Sequence, residues 1–261
     1  MNTEPTDAQI VAIARQLAEA AESGVAVGAM GAEATDLATG YRIQEAGHDL
    51  LDDRLIGWKT GCTNVAAQRF LGLEAPVAGR YGSRHVIAAP AEVTATEFAT
   101  PPHIEVEVGF RLLADIDGVP LDAMQLADAV EVFAAIEVVA GRLASFPLVG
   151  GPELVADNVF AARMVVGPTL DLDADAIRAL DTLPVELWID GERTAAGTGA
   201  DALGHPLEVL SWLAGHAAER GAPLTSGALV ITGTCTGMVP ARRGASHVGR
   251  VGDSEVCLVV S

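Results

Sequence analysis

Two glutamates lie two residues apart inside an apolar, β-branched run, and this run constrains the chain more than any other stretch. It reads Pro-Pro-His-Ile-Glu-Val-Glu-Val-Gly-Phe, residues 101–110. Successive side chains of a strand point to opposite faces, so Glu105 and Glu107 share one face while the apolar residues around them occupy the other. Two carboxylates this close repel each other and lose hydration unless a cation or protons compensate them. The run therefore predicts a strand that buries one face and offers paired oxygen ligands on the other.

A third carboxylate, Glu137, lies in the middle of the uncharged apolar segment Phe-Ala-Ala-Ile-Glu-Val-Val-Ala-Gly, residues 133–141. An acid in such a segment is rarely buried without a partner. Three carboxylates on two neighbouring strands suit Mg²⁺ or Mn²⁺, which take oxygen ligands and complete an octahedron with water or substrate. On the residues alone a second interpretation stays open, because alternating apolar and charged residues are also typical of a half-solvated edge strand.

The charge balance limits the partners that the chain can have. Half of the 261 residues are hydrophobic, and 35 acidic against 16 basic residues give a formal charge of −19. Nucleic acids and anionic membranes are bound through an excess of Lys and Arg, so neither is expected as a partner. The three cysteines, Cys62, Cys235 and Cys257, are odd in number and widely spaced, which favours a reduced intracellular protein. No leader pattern opens the sequence and no apolar run approaches ~18 residues, so a cytoplasmic protein is expected.

Helical patterns occupy the first part of the chain. Thr6 and Gln9 form a capping-box pattern, and apolar residues then recur at helical spacing until Gly24. A second helix is predicted from about Ala34 to Asp52, and a later one from Pro206 to Arg220. Residues from about 1 to 55 are therefore expected to form a helical annex.

The rest of the sequence reads mainly as short strands separated by Gly, Pro and Asp turns. Asp117-Gly118 and Asp190-Gly191 are hairpin-like turn signals. No repeat or composition shift separates a second domain, so we expect one domain spanning 1–261, with a β-rich body from about 56 to 261. The predicted strands are Leu55–Thr63, Arg84–Ala88, Ile104–Leu113, Phe133–Val139, Arg163–Val166, Val185–Ile189, Leu229–Thr232 and Glu255–Val260.

Lys59 is the only lysine of the sequence and lies in the segment Gly-Trp-Lys-Thr-Gly, residues 57–61. A compact, titratable ammonium does chemistry that a guanidinium does not, so a functional lysine is one interpretation. A single surface lysine in an arginine-rich chain is the alternative. Neither Gly-x-Ser-x-Gly nor Cys-x-x-Cys occurs, so the commonest serine-hydrolase and structural-zinc sites are not expected.

Five segments in this order resemble the fumarylacetoacetate hydrolase superfamily, and within it the branch of 2-keto-4-pentenoate hydratases and 4-oxalocrotonate decarboxylases. The resemblance implies an α+β fold, a predominantly β mixed roll with peripheral helices. It also implies a homo-oligomer and a Mg²⁺ or Mn²⁺ ion held by Glu105, Glu107 and Glu137, the same three residues. The matching segments are Gly57–Thr63, Ile104–Phe110, Ile136–Val139, Ala156–Asn158 and Val230–Thr234.

The resemblance further implies a lyase of aromatic-compound catabolism that acts on small anionic 2-keto or 2-hydroxydienoic acids. The metal of such enzymes binds the C1 carboxylate and the C2 oxygen and stabilises the enolate. Lys59 matches the family's catalytic lysine, which contacts the carboxylate or moves a proton. The positions that match substrate-binding residues are Asp157, Asn158, Arg163 and Thr234.

The sequence departs from the hydratase pattern at three positions. Val77 stands where hydratases usually carry an aspartate, and an aliphatic residue there is typical of the decarboxylases, as is Arg163. Phe160 replaces a smaller residue and is expected to reshape the pocket. Because hydratases make up the broader membership of this branch, we still expect a hydratase first, with a decarboxylase close behind. An acylpyruvate hydrolase and a non-catalytic metal-binding relative remain as alternatives.

Overall fold

Six α-helices and thirteen strands make up the regular structure of residues 4–28, 36–118 and 122–261, which the computed structural model describes. The helices are α1 (Asp7–Ser23), α2 (Leu37–Leu50), α3 (Val65–Leu71), α4 (Gly151–Ala156), α5 (Ala174–Ile177) and α6 (Pro206–Glu219). The strands are β1 (Leu55–Gly61), β2 (Val77–Gly82), β3 (Val86–Ala88), β4 (Ala91–Val93), β5 (His103–Leu112), β6 (Val130–Val139), β7 (Ala161–Thr169), β8 (Pro184–Ile189), β9 (Glu192–Thr198), β10 (Leu229–Ile231), β11 (Val239–Pro240), β12 (Ser246–Val251) and β13 (Ser254–Val260).

Two sheets form the β-rich body. The larger has the order β2-β1-β10-β5-β6-β7-β3, with β11 paired to β5, and the smaller has the order β4-β13-β12-β8-β9. One face of β5, with Ile104, Val106 and Val108, packs in the main core together with Leu187 and Leu258 of the smaller sheet. The opposite face of β5 carries the two glutamates, so the long strand separates the core from the candidate site.

The predicted helices at both ends of the sequence are confirmed. The capping box between Thr6 and Gln9 opens α1, and Gly24 ends it in a left-handed conformation. Pro206 is the first residue of α6, as expected. The helix α2 lies within the predicted range, although Ala34 is outside the described residues. Among those residues, no helix is both long and apolar enough to span a bilayer.

The annex helices share an apolar cluster with the body. Ile13 and Leu17 of α1 and Ile43 of α2 pack against Leu143 and Ala156, which lie beyond β6 and in α4. The contact buries the apolar stripe of α1 that the sequence shows, because such a stripe is stable only when it is covered. The assignment of the whole chain to one domain stays a prediction.

Two local predictions are wrong. Only residues 86–88 of the predicted strand Arg84–Ala88 are extended, because the Asp53 carboxylate accepts from the Ser83 hydroxyl at 2.6 Å and the Arg84 N–H at 3.0 Å and holds a 3₁₀ turn there. The Asp117-Gly118 signal does not close a tight hairpin, since the 3₁₀ helix Ala123–Ala129 lies between β5 and β6. The Asp190-Gly191 turn does join β8 to β9 as an antiparallel hairpin.

Candidate metal and substrate site

The strands β5 and β6 bring the three predicted metal ligands together. They are antiparallel, and their register places Glu105 opposite Glu137 and Glu107 opposite Ala135. One oxygen from each of the three carboxylates lies within 4.8 Å of the others. Glu107 and Glu137 are 0% exposed and Glu105 is 9% exposed. The interpretation as a solvated edge strand is therefore wrong, because the carboxylate face lies inside the protein.

Lys59 places a positive charge against this cluster. Its Nζ lies 2.9 Å from Oε2 of Glu137 and donates to the carbonyl oxygen of Val159 at 3.0 Å. Burial lowers the pKa of Lys59, but the three carboxylates outweigh burial and raise it above its usual value. Burial raises the pKa of Glu105 to about 8 against the effect of Lys59. Burial, with Glu137 and Glu105 adding to it, also raises the pKa of Glu107 well above its usual value. The single ammonium of Lys59 therefore does not balance the charge of three ionised carboxylates.

Glu107 has one satisfied and one free oxygen. Its Oε2 accepts from the Gly233 N–H at 2.6 Å, whereas Oε1 is buried and has no hydrogen-bond partner in the part of the chain that the structure describes. Gly233 has a φ of 91°, and a Cβ there would lie 2.5 Å from Oγ1 of Thr63, so glycine is required to present this N–H. A buried carboxylate oxygen without a donor, among three hard oxygen donors, fits a divalent cation such as Mg²⁺ or Mn²⁺.

The stem of Lys59 reaches the cluster through a space that a glycine leaves. Lys59 is 4% exposed, and its partner across β1 and β2 is Gly79. A Cβ at Gly79 would lie 2.9 Å from Cγ of Lys59 and 2.7 Å from the carbonyl oxygen of Asn158. The interpretation of Lys59 as a surface lysine is therefore wrong.

A strained turn, residues 158–160, lies beside Lys59. Asn158, Val159 and Phe160 have φ values of 50°, 54° and 59°. Non-glycine residues seldom adopt this region, and it is most unfavourable for a β-branched side chain. Strain of this kind persists only where surrounding contacts impose it, and it is concentrated at functional sites. Its local result is that the Val159 carbonyl points at Nζ of Lys59.

Two contacts hold the turn. The buried Asp157 carboxylate lies 2.6 Å from Nε of Arg142 and accepts from the Arg142 N–H at 2.8 Å. The side-chain amide of Asn158 accepts from the Arg80 N–H and donates to the Arg80 carbonyl, both at 2.8 Å. Both predicted substrate-binding side chains thus bind protein groups in this structure. Their contact with a substrate stays a prediction.

The structure does not bring Arg163 to the three carboxylates. Its neighbour Met164 is opposite Glu137, and Arg163 itself is opposite Val138. Because neighbours on a strand alternate, Arg163 points to the other face of the sheet, where its guanidinium lies 3.5 Å from the Glu97 carboxylate. The resemblance implies that Arg163 binds substrate, and that contact stays a prediction.

Thr234 lies beside the cluster. It follows Gly233 in a segment that runs along β5, where the Cys235 N–H donates to the Val106 carbonyl at 3.1 Å. Its Oγ1 accepts from the Thr236 N–H at 3.3 Å. This position agrees with the predicted contact between Thr234 and a substrate, which stays a prediction.

Tyr81 contacts the candidate site but was not predicted. Its hydroxyl donates to Oε1 of Glu137 at 2.7 Å, and the residue is 1% exposed. The sequence feature that could have drawn attention to Tyr81 is the rarity of tyrosine, since the chain has two tyrosines.

Phe160, which was expected to reshape the pocket, belongs to a row of aromatic side chains whose other members were not predicted. His103 is opposite Val139, and this pair lies next to the pair of Glu105 and Glu137 on the same face of the sheet. The ring centroids of His103 and Phe146 are 5.3 Å apart, and those of Phe146 and Phe160 are 4.8 Å apart. Val139 packs in the same cluster. An apolar wall therefore adjoins the carboxylates.

Comparison with known proteins gives a consistent result. The chain is 34% identical over 237 residues to the TodF product hydratase of Pseudomonas putida F1, covering 87% of this chain and 86% of the relative. It is 30% identical over 258 residues to the 2-keto-4-pentenoate hydratase of Burkholderia vietnamiensis G4, covering 94% of both. The solved structure of 4-oxalocrotonate decarboxylase from Pseudomonas putida G7, complexed with magnesium and adipate, matches with a TM-score of 0.90, 25% identity and full coverage of both chains.

The family described as fumarylacetoacetate (FAA) hydrolase C-terminal matches residues 64–258. This range contains Glu105, Glu107 and Glu137, and the matched structure confirms the predicted fold class, a mixed β roll with peripheral helices. The chain therefore belongs to the fumarylacetoacetate hydrolase family.

Proposed function

We propose that this protein is a divalent-metal-dependent lyase of small 2-keto and 2-hydroxydienoic acids, and that it hydrates substrates of the 2-keto-4-pentenoate type. The observation that carries the proposal is the buried triad of Glu105, Glu107 and Glu137 with Lys59 at 2.9 Å. Curated relatives that are hydratases, at 34% and 30% identity over most of the chain, support it.

Glu105, Glu107 and Glu137 are the residues that would hold Mg²⁺ or Mn²⁺. Such an ion, when bound, supplies a Lewis-acid charge for a carboxylate and a neighbouring developing oxyanion. The protein contributes three carboxylates that strands and buried hydrogen bonds hold in place before the ion arrives. It also excludes water from them, which strengthens their attraction for a cation.

Lys59 is proposed to bind the substrate carboxylate and to move a proton at its Nζ. Its raised pKa keeps the ammonium charged at neutral pH. A chain with a formal charge of −19 needs local positive charge to hold an anionic acid. The Val159 carbonyl, 3.0 Å from Nζ, orients the ammonium.

The apolar wall supports hydration as the reaction. The substrate of an oxalocrotonate decarboxylase has a second carboxylate, which requires a cation at the far end of the pocket. Next to the carboxylates, Val139, Phe146 and Phe160 offer an apolar surface instead, and the Arg163 guanidinium lies on the other face.

Decarboxylation is the second candidate, and Val77 is the observation that favours it. Val77 is 1% exposed and packs with Val159 beside Lys59. No carboxylate therefore stands where the hydratase pattern has one. The decarboxylase structure matched at full length agrees with this alternative.

Ultraviolet assays with Mg²⁺ or Mn²⁺ separate the two reactions. We expect loss of the 2-hydroxypenta-2,4-dienoate absorbance through addition of water, and little turnover of 2-oxohex-3-enedioate. Faster consumption of the dicarboxylate with release of CO₂ would establish the decarboxylase instead. If both substrates stay unchanged with metal present, the proposal is wrong for this substrate class.

We also propose a homo-oligomer located in the cytoplasm. Val65 and Phe70 of α3 and Leu148 are large apolar side chains that are 59%, 74% and 74% exposed. Contiguous exposed apolar patches mark interaction surfaces, and these side chains are the residues that we propose such a patch would include. Light scattering of the eluting protein tests the oligomer, and a monomer at micromolar concentration would contradict it.

A further inference from the structure

Glu137 contacts two polar side chains, an ammonium through an ion pair and a hydroxyl that the mechanism above does not use. The Tyr81 Oη donates to Oε1 at 2.7 Å, while Nζ of Lys59 lies 2.9 Å from Oε2. We propose that Tyr81 is a positioning residue of the metal site, which fixes the orientation of the Glu137 carboxylate for metal binding. The inference rests on the proposed metal-dependent function.

The contact joins distant parts of the larger sheet. Tyr81 lies on β2, which four strands separate from β7 in the strand order, yet its Oη also lies 3.4 Å from the Arg163 carbonyl of β7. The sheet must therefore curl so that β2 approaches β6 and β7. The ring packs with Phe133, Met164 and Ile231 in an apolar cluster. Packing on all sides gives the hydroxyl one position.

The hydroxyl is a donor to the carboxylate. A phenol carries its proton at neutral pH and an ionised carboxylate can only accept, so the 2.7 Å contact runs from the Tyr81 hydroxyl to Oε1 of Glu137. A carboxylate whose one oxygen accepts a fixed hydrogen bond cannot rotate freely about its last torsion. Without the hydroxyl, Oε1 would be buried without a donor, and Glu137 would lose one of two restraints.

Loss of a hydrogen-bonding partner of a metal ligand typically weakens metal binding by about 10- to 100-fold. We expect Tyr81→Phe to weaken Mn²⁺ binding by this factor in calorimetric titrations, because the ring is kept and only the hydroxyl is removed. The second tyrosine is a matched control. The Tyr41 hydroxyl accepts from the Ala78 N–H at 3.1 Å and contacts none of the three carboxylates. Tyr41→Phe should therefore bind Mn²⁺ within about twofold of wild type while losing a similar buried hydrogen bond.

Thermal denaturation separates positioning from general destabilisation. In EDTA the two variants should lose similar thermal stability. Addition of Mn²⁺ should restore Tyr41→Phe as it stabilises wild type, and should stabilise Tyr81→Phe less at the same concentration.

A measurement on the unmutated sequence keeps the proposal testable if Tyr81→Phe does not fold. Protein labelled with 3-fluorotyrosine gives two ¹⁹F resonances, one for each tyrosine. Mg²⁺ should shift the Tyr81 resonance and leave that of Tyr41 in place, with Tyr41→Phe giving the assignment. An unshifted Tyr81 resonance, or Mn²⁺ affinity in Tyr81→Phe within twofold of wild type, would overturn the positioning role alone. Absence of metal binding by wild type would overturn the proposed function with it.

Discussion

The buried ion pair between Asp157 and Arg142 gives Asp157 a structural role, which differs from the substrate contact predicted from the sequence. We predict that Asp157→Asn destabilises the protein by about 3 kcal/mol. Asp157 is 0% exposed, and its carboxylate lies 2.6 Å from Nε of Arg142. Removing one partner of a buried ion pair costs about 3–5 kcal/mol, because the other charge is left uncompensated. The low end applies here, since Arg142 keeps hydrogen bonds to the carbonyls of Ala140, Ala161 and Asp157 at 3.0, 2.9 and 2.8 Å.

Thermal denaturation followed by circular dichroism measures this loss. For a chain of this size, each kcal/mol shifts the midpoint by about 2–4 °C, so the expected decrease is about 6–12 °C. Glu255→Gln is the control, because Glu255 also pairs with an arginine, Arg250 at 2.8 Å, but the two side chains are 50% and 40% exposed. An exposed ion pair contributes about 0–1 kcal/mol, so the midpoint of this variant should fall by less than about 4 °C.

If Asp157→Asn keeps its midpoint within about 2 °C of wild type while the KM for substrate rises, the residue binds substrate and does not chiefly hold the turn. The predicted substrate contact would then replace the structural role that we derive from Arg142.

Three further outcomes follow from the site. Lys59→Met should lower kcat by about 10²- to 10⁴-fold while Mn²⁺ still binds, because a proton-transfer group is lost and the three carboxylates remain. A kcat equal to that of wild type would show that Lys59 takes no part in the reaction. Phe160→Leu should raise kcat/KM for dienoic acids with longer tails relative to kcat/KM for 2-hydroxypenta-2,4-dienoate, because the aromatic ring that packs against Phe146 is removed. If the ultraviolet assay shows the same ratio of the two kcat/KM values as in wild type, the apolar wall does not contact the substrate tail. Metal affinity should rise with pH up to about 8, because the pKa of Glu105 is raised to about 8 and its proton competes with the ion below that value. Calorimetry in buffers of different ionisation enthalpy should show that metal binding releases protons at pH 7. A metal affinity that does not depend on pH would contradict this prediction.

Local patterns were sufficient to select the three glutamates that we propose as metal ligands. Alternation along β5 fixes Glu105 and Glu107 on one face whatever the strand pairs with. Glu137 could be added because an acid in an apolar run needs a compensating partner. The unique lysine was likewise visible in the composition, although only the structure shows that Gly79 makes room for it.

Contacts that depend on long-range pairing could not be predicted from the sequence. Tyr81 reaches Glu137 only because the larger sheet curls, and no pattern near residue 81 indicates that. The face of Arg163 depends on the register of β6 and β7, which shifts at Val138 and Val139. A shift of this kind reverses the face of a residue, so the sequence alone could not show which face of the sheet Arg163 occupies.

The central claim is that three buried carboxylates bind a divalent cation which then binds the oxalate-like end of a keto acid. Titration with Mg²⁺ and then oxalate, a planar mimic of the carboxylate and enolate, tests it most directly. We predict that oxalate binds wild type only when Mg²⁺ is present, and that Glu107→Gln abolishes both steps. Glu131→Gln, which changes a glutamate of β6 whose side chain is 46% exposed, should leave both steps intact. Oxalate binding that is equal with and without Mg²⁺, or Mg²⁺ affinity unchanged by Glu107→Gln, would contradict the account.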